Sequence, residues 1–221
     1  MKASTDKLLS QFKVLADPVR ARLVTLCSLA ECSVSELTHV TGLSQPRVSQ
    51  HLKQLIAADL LERFRDGHFV FYRVPSSDSA AIARRRLLAL LPADEPEFAR
   101  DIDKLRTLRS KEGPAPLVES GDERLLHKAL VELTVATPLG DVLDIGCGQG
   151  RVLKLLASRA QRAIGVDIDS DARRLARAEL LLAGSSNCSL RQGDMYSLPF
   201  EDERFDTIIF DDVLGEAERP T

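Results

Sequence analysis

The stretch Val142-Leu143-Asp144-Ile145-Gly146-Cys147-Gly148-Gln149-Gly150 constrains this chain more than any other. An apolar run ends in an acid, glycines follow at alternate positions, and Val152, Leu153, Leu155, Leu156 and Ala157 come next. That pattern spells a buried strand, a loop without side chains and the start of a helix. Glycine suits such a loop because a Cβ would keep a ligand off the backbone. A second apolar run, residues 163–166, ends in Asp167, 17 residues after Gly150. A carboxylate there can accept from both hydroxyls of a ribose. Dinucleotide sites share this layout but ask for Gly-x-Gly-x-x-Gly, whereas the order here is Asp-x-Gly-x-Gly-x-Gly. Acids around the pocket suit a ligand with an amino group and, in one form, a sulfonium. The pattern therefore favours S-adenosylmethionine or S-adenosylhomocysteine over NAD.

A chain of 221 residues has room for two cores. Its hydrophobic share of 44% and charged share of 29% are those of an ordinary globular protein. No apolar run approaches the roughly 20 residues needed to span a bilayer, and residues 1–10 lack the apolar core of a signal peptide. A cytoplasmic location without membrane contact is expected. Cys27, Cys32, Cys147 and Cys188 are scattered, so reduced thiols are expected rather than a disulfide frame. The net charge of −3 hides an asymmetry: residues 1–112 hold 18 basic against 14 acidic side chains, residues 113–221 hold 12 against 19. The front half tolerates phosphate and the back half repels it.

In that front half, Asp17-Pro18 marks a helix start, with an acid to cap and a proline suited to the first turn. Val19, Leu23, Leu26 and Ala30 follow at helical spacing. Ser33-Val34-Ser35-Glu36 has the form of a capping box, and Thr41-Gly42 ends the short helix it opens. Ser44 is expected to cap a third helix with Pro46 in its first turn. Val48, Leu52, Leu55 and Ile56 form its inward stripe, while Gln45, Arg47, Gln50, Lys53 and Gln54 face out. Two strands follow, over residues 60–65 and 68–74, joined by Asp66-Gly67, a pair that favours the positive φ of a tight turn. Helix, turn, helix and hairpin is the winged-helix plan. Its outward Gln and Arg side chains suit adenine and guanine edges, and Arg63, Arg65, His68 and Arg73 on the wing suit phosphate or a minor groove. The same residues would also solvate an ordinary surface helix.

The run Leu43-Ser44-Gln45-Pro46-Arg47-Val48-Ser49-Gln50-His51-Leu52-Lys53, followed by Gly67-His68-Phe69-Val70-Phe71-Tyr72-Arg73, resembles the ArsR/SmtB bacterial repressors over residues 5–92. The resemblance implies a homodimer on a double-stranded DNA operator, contacted by Ser44, Gln45, Arg47, Ser49, Gln50, His51, Lys53, Arg65 and Arg73. His51 stands where the family has His, and a packing or phosphate role is expected for it. The first and last helices of the family form the dimer interface, a role that suits Leu8, Leu9, Phe12, Leu15, Ile82, Leu87, Leu88 and Leu91; these could equally be core. Metal-sensing members carry Glu-x-Cys-Val-Cys-Asp-Leu, where this chain has Glu31-Cys32-Ser33-Val34-Ser35-Glu36-Leu37. Both thiolate positions are serines, and soft metalloids need thiolates, so no metal site is expected there.

Residues 79–111 read as helical, with Arg84-Arg85-Arg86 on a solvated face or against DNA flanks, and Gly113-Pro114-Ala115-Pro116 as the linker. Beyond it the chain resembles the class I S-adenosylmethionine-dependent methyltransferases over residues 140–215. The stretch 142–150 matches their first motif. Gly165-Val166-Asp167-Ile168-Asp169 matches the ribose-binding second strand, and Gln192-Gly193-Asp194-Met195-Tyr196-Ser197-Leu198-Pro199-Phe200 the adenine segment. Phe205-Asp206-Thr207-Ile208-Ile209-Phe210 matches the fourth strand. The resemblance implies that Asp144 and Gly146 line the amino-acid end, that Gly148 and Gly150 also bind the cofactor, and that Asp167 meets the ribose and Asp194 the adenine amino group, with Ile168 and Met195 on either side of the ring. The run Asp211-Asp212-Val213-Leu214-Gly215-Glu216-Ala217 departs from the family where substrate is met, so no catalytic residue is assigned.

The expected fold is an N-terminal winged helix-turn-helix (α+β) followed by an α/β Rossmann-like methyltransferase fold truncated after its fourth strand. The expected domains are 1–78 for DNA binding, 79–118 as helical connector and dimerisation segment, and 119–221 for an adenosine-containing small ligand, the last a fragment of a longer domain. The expected function is a repressor that senses S-adenosylhomocysteine or S-adenosylmethionine. The alternatives are a small-molecule methyltransferase fused to its regulator, and a constitutive DNA-binding module with a scaffold behind it.

Overall fold

A computed structural model describes residues 5–76, 79–92, 95–111, 125, 128–130, 132, 134, 138–211 and 213. The chain divides into two compact units, Met1–Arg109 and Ser110–Thr221.

The first unit runs α1 (Thr5–Leu15), α2 (Pro18–Leu29), β1 (Cys32–Ser33), α3 (Val34–Thr41), α4 (Gln45–Ala57), β2 (Glu62–Asp66), β3 (Phe69–Arg73), α5 (Ala81–Leu88) and α6 (Pro96–Ser110). This is the winged helix-turn-helix. Asp17 caps α2, accepting from the Arg20 amide at 3.0 Å. The capping box at α3 is complete: the Glu36 amide donates to Ser33 Oγ at 3.3 Å and the Ser33 amide to Glu36 Oε2 at 2.7 Å. Ser44 holds the N-cap position of α4, but its side chain makes no capping hydrogen bond. Leu23, Leu26, Leu37, Val40, Val48, Leu52, Leu55, Leu60 and Leu61 close the core; Ile56, placed inward by its spacing, is only half-buried.

The wing turn lies one residue later than its sequence suggests. Asp66 pairs with Phe69 in the β2–β3 ladder, so the turn residues are Gly67 and His68, and only Gly67 has a positive φ, +59°. Glycine at the first central position is what a type II′ turn needs. On its other side β3 pairs with β1, Cys32 opposite Tyr72 and Ser33 opposite Phe71.

The stretch read as a connector packs into this unit. Arg22 holds Asp101 of α6 through Nε at 2.6 Å and Nη2 at 3.0 Å. Lys104 Nζ donates to the Val40 carbonyl at 3.2 Å. Arg109 Nε donates to Glu36 Oε1 at 2.8 Å and its Nη2 to the Glu31 carbonyl at 2.5 Å. The first compact unit thus takes in α5 and α6 as far as Arg109. The triple arginine is not one solvated face either: Arg85 and Arg86 are exposed, while Arg84 is 1% exposed. The Gly-Pro linker of residues 113–116 lies outside the described residues.

The second unit contains β4 (Asp141–Ile145), α7 (Arg151–Leu156), β5 (Arg162–Asp167), α8 (Ser170–Leu182), β6 (Cys188–Gln192) and β7 (Thr207–Phe210). These strands form a parallel sheet in the order β6-β5-β4-β7, a Rossmann-like arrangement. On one face Val142, Ala163 and Leu190 pack with Val152, Leu153 and Leu156 of α7 and Ala176 and Leu180 of α8. On the other, Leu143, Ile145, Ile164 and Val166 are covered by Met195, Leu198, Phe200 and Phe205. The order reverses at β4, and sheets of this kind bind ligands beyond the carboxyl ends of their strands at such a reversal. Ile208 and Phe210 of β7 are 53% and 48% exposed. Among the described residues no helix is long and apolar enough to cross a membrane.

Candidate functional site

In the first unit, α4 presents Ser44, Gln45, Arg47, Gln50 and Lys53 as exposed side chains along one helix, with Arg65 exposed on the wing; Ser49 is half-buried. This is a polar surface of the reach and chemistry that base edges and phosphates require. Two expected contacts sit elsewhere. Arg73 lies at the wing's base, its Nε 2.6 Å from Glu62 and its Nη1 3.4 Å from Glu31, with its guanidinium 5.1 Å from the Phe64 ring centroid. Two carboxylates therefore hold it. The His51 side chain is 14% exposed with Nδ1 3.9 Å from Asp17, beyond hydrogen-bond range. It packs between α4 and the start of α2 rather than projecting with Gln50.

The apolar residues expected at a dimer interface divide. Leu8, Leu9, Phe12 and Ile82 are exposed at 38%, 52%, 46% and 68%. Leu15, Leu88 and Leu91 are half-buried, and Leu87 belongs to the unit's own interior. The Ser33 and Ser35 hydroxyls lie 3.0 Å apart, with Ser33 engaged in the capping box, and the Cys32 side chain is buried. Among the described residues no group of three or more His, Cys, Asp and Glu side chains has the arrangement to hold a metal.

In the second unit, the carboxyl ends of four parallel strands bring the expected ligand residues to one edge of the sheet. Asp167 is turned toward the glycine loop: its Oδ2 accepts from the Gly148 amide and its Oδ1 from the Asp169 amide, both at 2.8 Å. Two backbone donors fix the plane of the carboxylate, and its further lone pairs can take ribose hydroxyls. Ile168 is 71% exposed, a bare apolar surface beside Asp167. Met195 packs on the sheet, and Asp194 is exposed with its Oδ1 accepting from the Tyr196 amide at 3.0 Å.

The glycines serve different ends. A Cβ on Gly148, φ +49°, would meet nothing within 4 Å among the described residues, so against these the backbone lies open. At Gly146, φ +71°, a Cβ would lie 2.4 Å from Val213 Cγ2: the close neighbour is the chain's own segment after β7. Gly150 starts α7 at φ +75°, 3.1 Å in the same sense from Ala176 Cβ on α8. All three have positive φ, and only at Gly148 is the space that a Cβ would take empty among the described residues.

Asp144 is the most unusual group. It is 1% exposed, and among the described residues its Oδ2 has no hydrogen-bond partner. Burial, then the neighbouring charges of Asp211 and Asp167, push its pKa up to about 7. Burial, then the charges of Asp144 and Asp167, push the Cys147 thiol up as well, which suits a packing residue and not a nucleophile. Asp211 and Val213 were not singled out in the sequence as ligand-site residues. Their signal was the departure of 211–217 from the methyltransferase pattern, visible only as a mismatch until the fold brought β7 beside β4. The donor set fits an adenosyl amino acid: an orphaned buried carboxylate for a cationic group, an open backbone at Gly148 and a pre-set acceptor at Asp167.

Comparison with known proteins supports both halves. Residues 17–63 match the family described as "Bacterial regulatory protein, arsR family", and residues 142–220 match a "Methyltransferase domain". The chain is 48% identical over 64 residues to the arsenic resistance transcriptional regulator ArsR1 of Pseudomonas putida, covering 28% of this chain and 50% of that protein. It is 32% identical over 82 residues to the biofilm growth-associated repressor of Xylella fastidiosa, covering 37% of this chain and 72% of that protein. Over 70 residues it is 37% identical to a 2-heptyl-1-hydroxyquinolin-4(1H)-one methyltransferase of Mycobacteroides abscessus, covering 32% of this chain and 31% of the enzyme. The chain spans about half the length of the first of these relatives and a third of the last.

Proposed function

Because the chain belongs to the ArsR family of bacterial regulatory proteins and carries a methyltransferase domain behind its winged helix, we propose that it is a repressor that releases DNA when the second unit binds S-adenosylhomocysteine or S-adenosylmethionine. ArsR-type regulators bind DNA and generally dimerise, and a methyltransferase domain implies a ligand of the S-adenosylmethionine family. The observation that carries the reading is Asp167, held by two amides and facing the glycine loop. Ser44, Gln45, Arg47, Ser49, Gln50 and Lys53, with Arg65, read an operator as a homodimer, on half-sites about one helical turn, roughly 34 Å, apart. Exposed Leu8, Leu9, Phe12 and Ile82 supply apolar surface for the dimer.

A nucleoside shifts this equilibrium only if it binds the DNA-competent and incompetent states differently. The test is an operator titration with and without each nucleoside. A 5- to 150-fold weakening is expected, on the order of 1–3 kcal/mol of coupling; an unchanged titration rejects the sensing role. Calorimetry of the same chain with Asp167→Ala is expected to show affinity lower by about 10- to 150-fold, the worth of hydrogen bonds to a charged group, roughly 1.5–3 kcal/mol. An unaltered affinity would place the ribose elsewhere.

Methyl transfer is the second reading, favoured by the methyltransferase match over residues 142–220. The bound cofactor would supply an activated methyl group, and transfer to a thiol or amine needs little beyond positioning. Incubation with methyl-labelled S-adenosylmethionine and an acceptor panel tests it; label appearing on an acceptor favours this reading over sensing alone.

A further inference from the structure

Arg84 has no role in either site described above, yet its side chain is among the largest that are fully buried, 1% exposed. Its Nε donates to the Asp59 carbonyl and its Nη1 to the Pro75 carbonyl, both at 2.6 Å. Asp59 lies in the turn between α4 and β2, and Pro75 lies two residues beyond the end of β3. One guanidinium therefore ties the entry of the wing hairpin to its exit, just past the end of the helix that presents Gln45 to Lys53.

The turn it grips is unusual in itself. Asp59 is one of only two non-glycine residues with positive φ among those described, at +54°. Such strain persists where the surroundings over-determine it. Here α1 contributes too: Gln11 Nε2 donates to the Ala58 carbonyl at 3.0 Å, and Lys7 Nζ lies 2.7 Å from Asp59 Oδ2. The carbonyls at a helix C-terminus lack intrahelical partners and attract cations, which offsets part of the cost of burying a guanidinium. For stability alone an apolar side chain of similar volume would serve as well. What the planar fork adds is geometry, two carbonyls held at a fixed separation.

We propose that Arg84 is a positioning residue for DNA binding: it sets the angle of the wing against α4, and it carries the placement of α5 to both. Ile82, two residues earlier on α5, is 68% exposed. The helix thus offers an apolar side chain to a partner subunit on one side and the clip to the wing on the other. This inference rests on the DNA-binding reading above.

The test is a double-mutant cycle in the full chain, on a duplex selected by the wild-type protein from a random library. Arg84→Met is expected to weaken binding about tenfold while circular dichroism stays unchanged. Adding Arg65→Ala on the wing should then cost less than about twofold more, because the wing is already misplaced. Adding Arg47→Ala on α4 should cost the same factor as in the wild type. Binding of Arg84→Met within twofold of wild type overturns the proposal, and so does an Arg65→Ala effect that multiplies in full. If Arg84→Met does not fold, Arg84→Lys, which keeps the charge without the fork, carries the same cycle; failure of both to fold makes Arg84 a stability residue and also overturns it. A wild-type chain that enriches no duplex at all defeats the DNA-binding reading first, and this inference falls with it.

Discussion

Arg109→Ala is expected to lower the stability of the first unit by about 3–5 kcal/mol, the usual cost of removing one partner from a buried ion pair. The Arg109 side chain is 3% exposed and that of Glu36 18%. Alanine would leave the Glu36 carboxylate buried without its cation and the Glu31 carbonyl without the donor at 2.5 Å. Burial pushes the Glu36 pKa up, but the Arg109 charge and hydrogen bond outweigh it, so the group lies below its ordinary 4.5. Its contribution in the wild type is therefore present above that value and lost as pH falls through the lowered pKa. In Arg109→Ala the sign reverses: the lone carboxylate is pushed up, and mild acid stabilises the variant relative to neutral pH. Hydrogen exchange of α3 and β1 amides during urea unfolding reads the loss. Glu36→Gln in the same chain should recover part of it. A loss below about 1 kcal/mol would mean that α6 does not depend on this pair.

The second large effect concerns Asp144. Its folded pKa of about 7 lies above the ordinary 3.8, so between those values the folded state binds more protons than the unfolded one. Stability of the second unit must then fall as pH rises from 4 toward 7 and level off above, by on the order of 4 kcal/mol in the ligand-free chain. Asp144→Asn should abolish that slope. A cationic ligand group beside Asp144 would favour its ionised form and release a proton, so nucleoside affinity should rise with pH across 7. Calorimetry in buffers of different ionisation enthalpy measures the proton directly. A flat stability profile between pH 5 and 8 would show that Asp144 is ionised throughout, and would remove the case for it as a cation receptor.

Much of this was readable in one dimension because the signals are local. Asp17-Pro18, the Ser33–Glu36 box and the glycine loop act within a few residues of themselves, and each formed where its chemistry placed it. The turn of the wing moved by one residue because both Asp66-Gly67 and Gly67-His68 can supply a glycine with positive φ, and the ladder chose the pairing of Asp66 with Phe69. Ser44 kept its position without its hydrogen bond.

The order of residues alone was enough to mark two folding units, a winged helix-turn-helix and a Rossmann-like methyltransferase domain, since periodicity and glycine spacing report short-range geometry. It could not say that Arg84 turns inward while Arg85 and Arg86 face water, that Arg73 is held by Glu31 and Glu62, or that α6 is bound to α2 and α3 through Asp101 and Arg109. It marked Asp144 as a ligand-site residue but could not show its raised pKa, which comes from burial and from Asp211, 67 residues away in sequence. Each of these depends on which distant charges and carbonyls share a low-dielectric interior, and only folding brings them there.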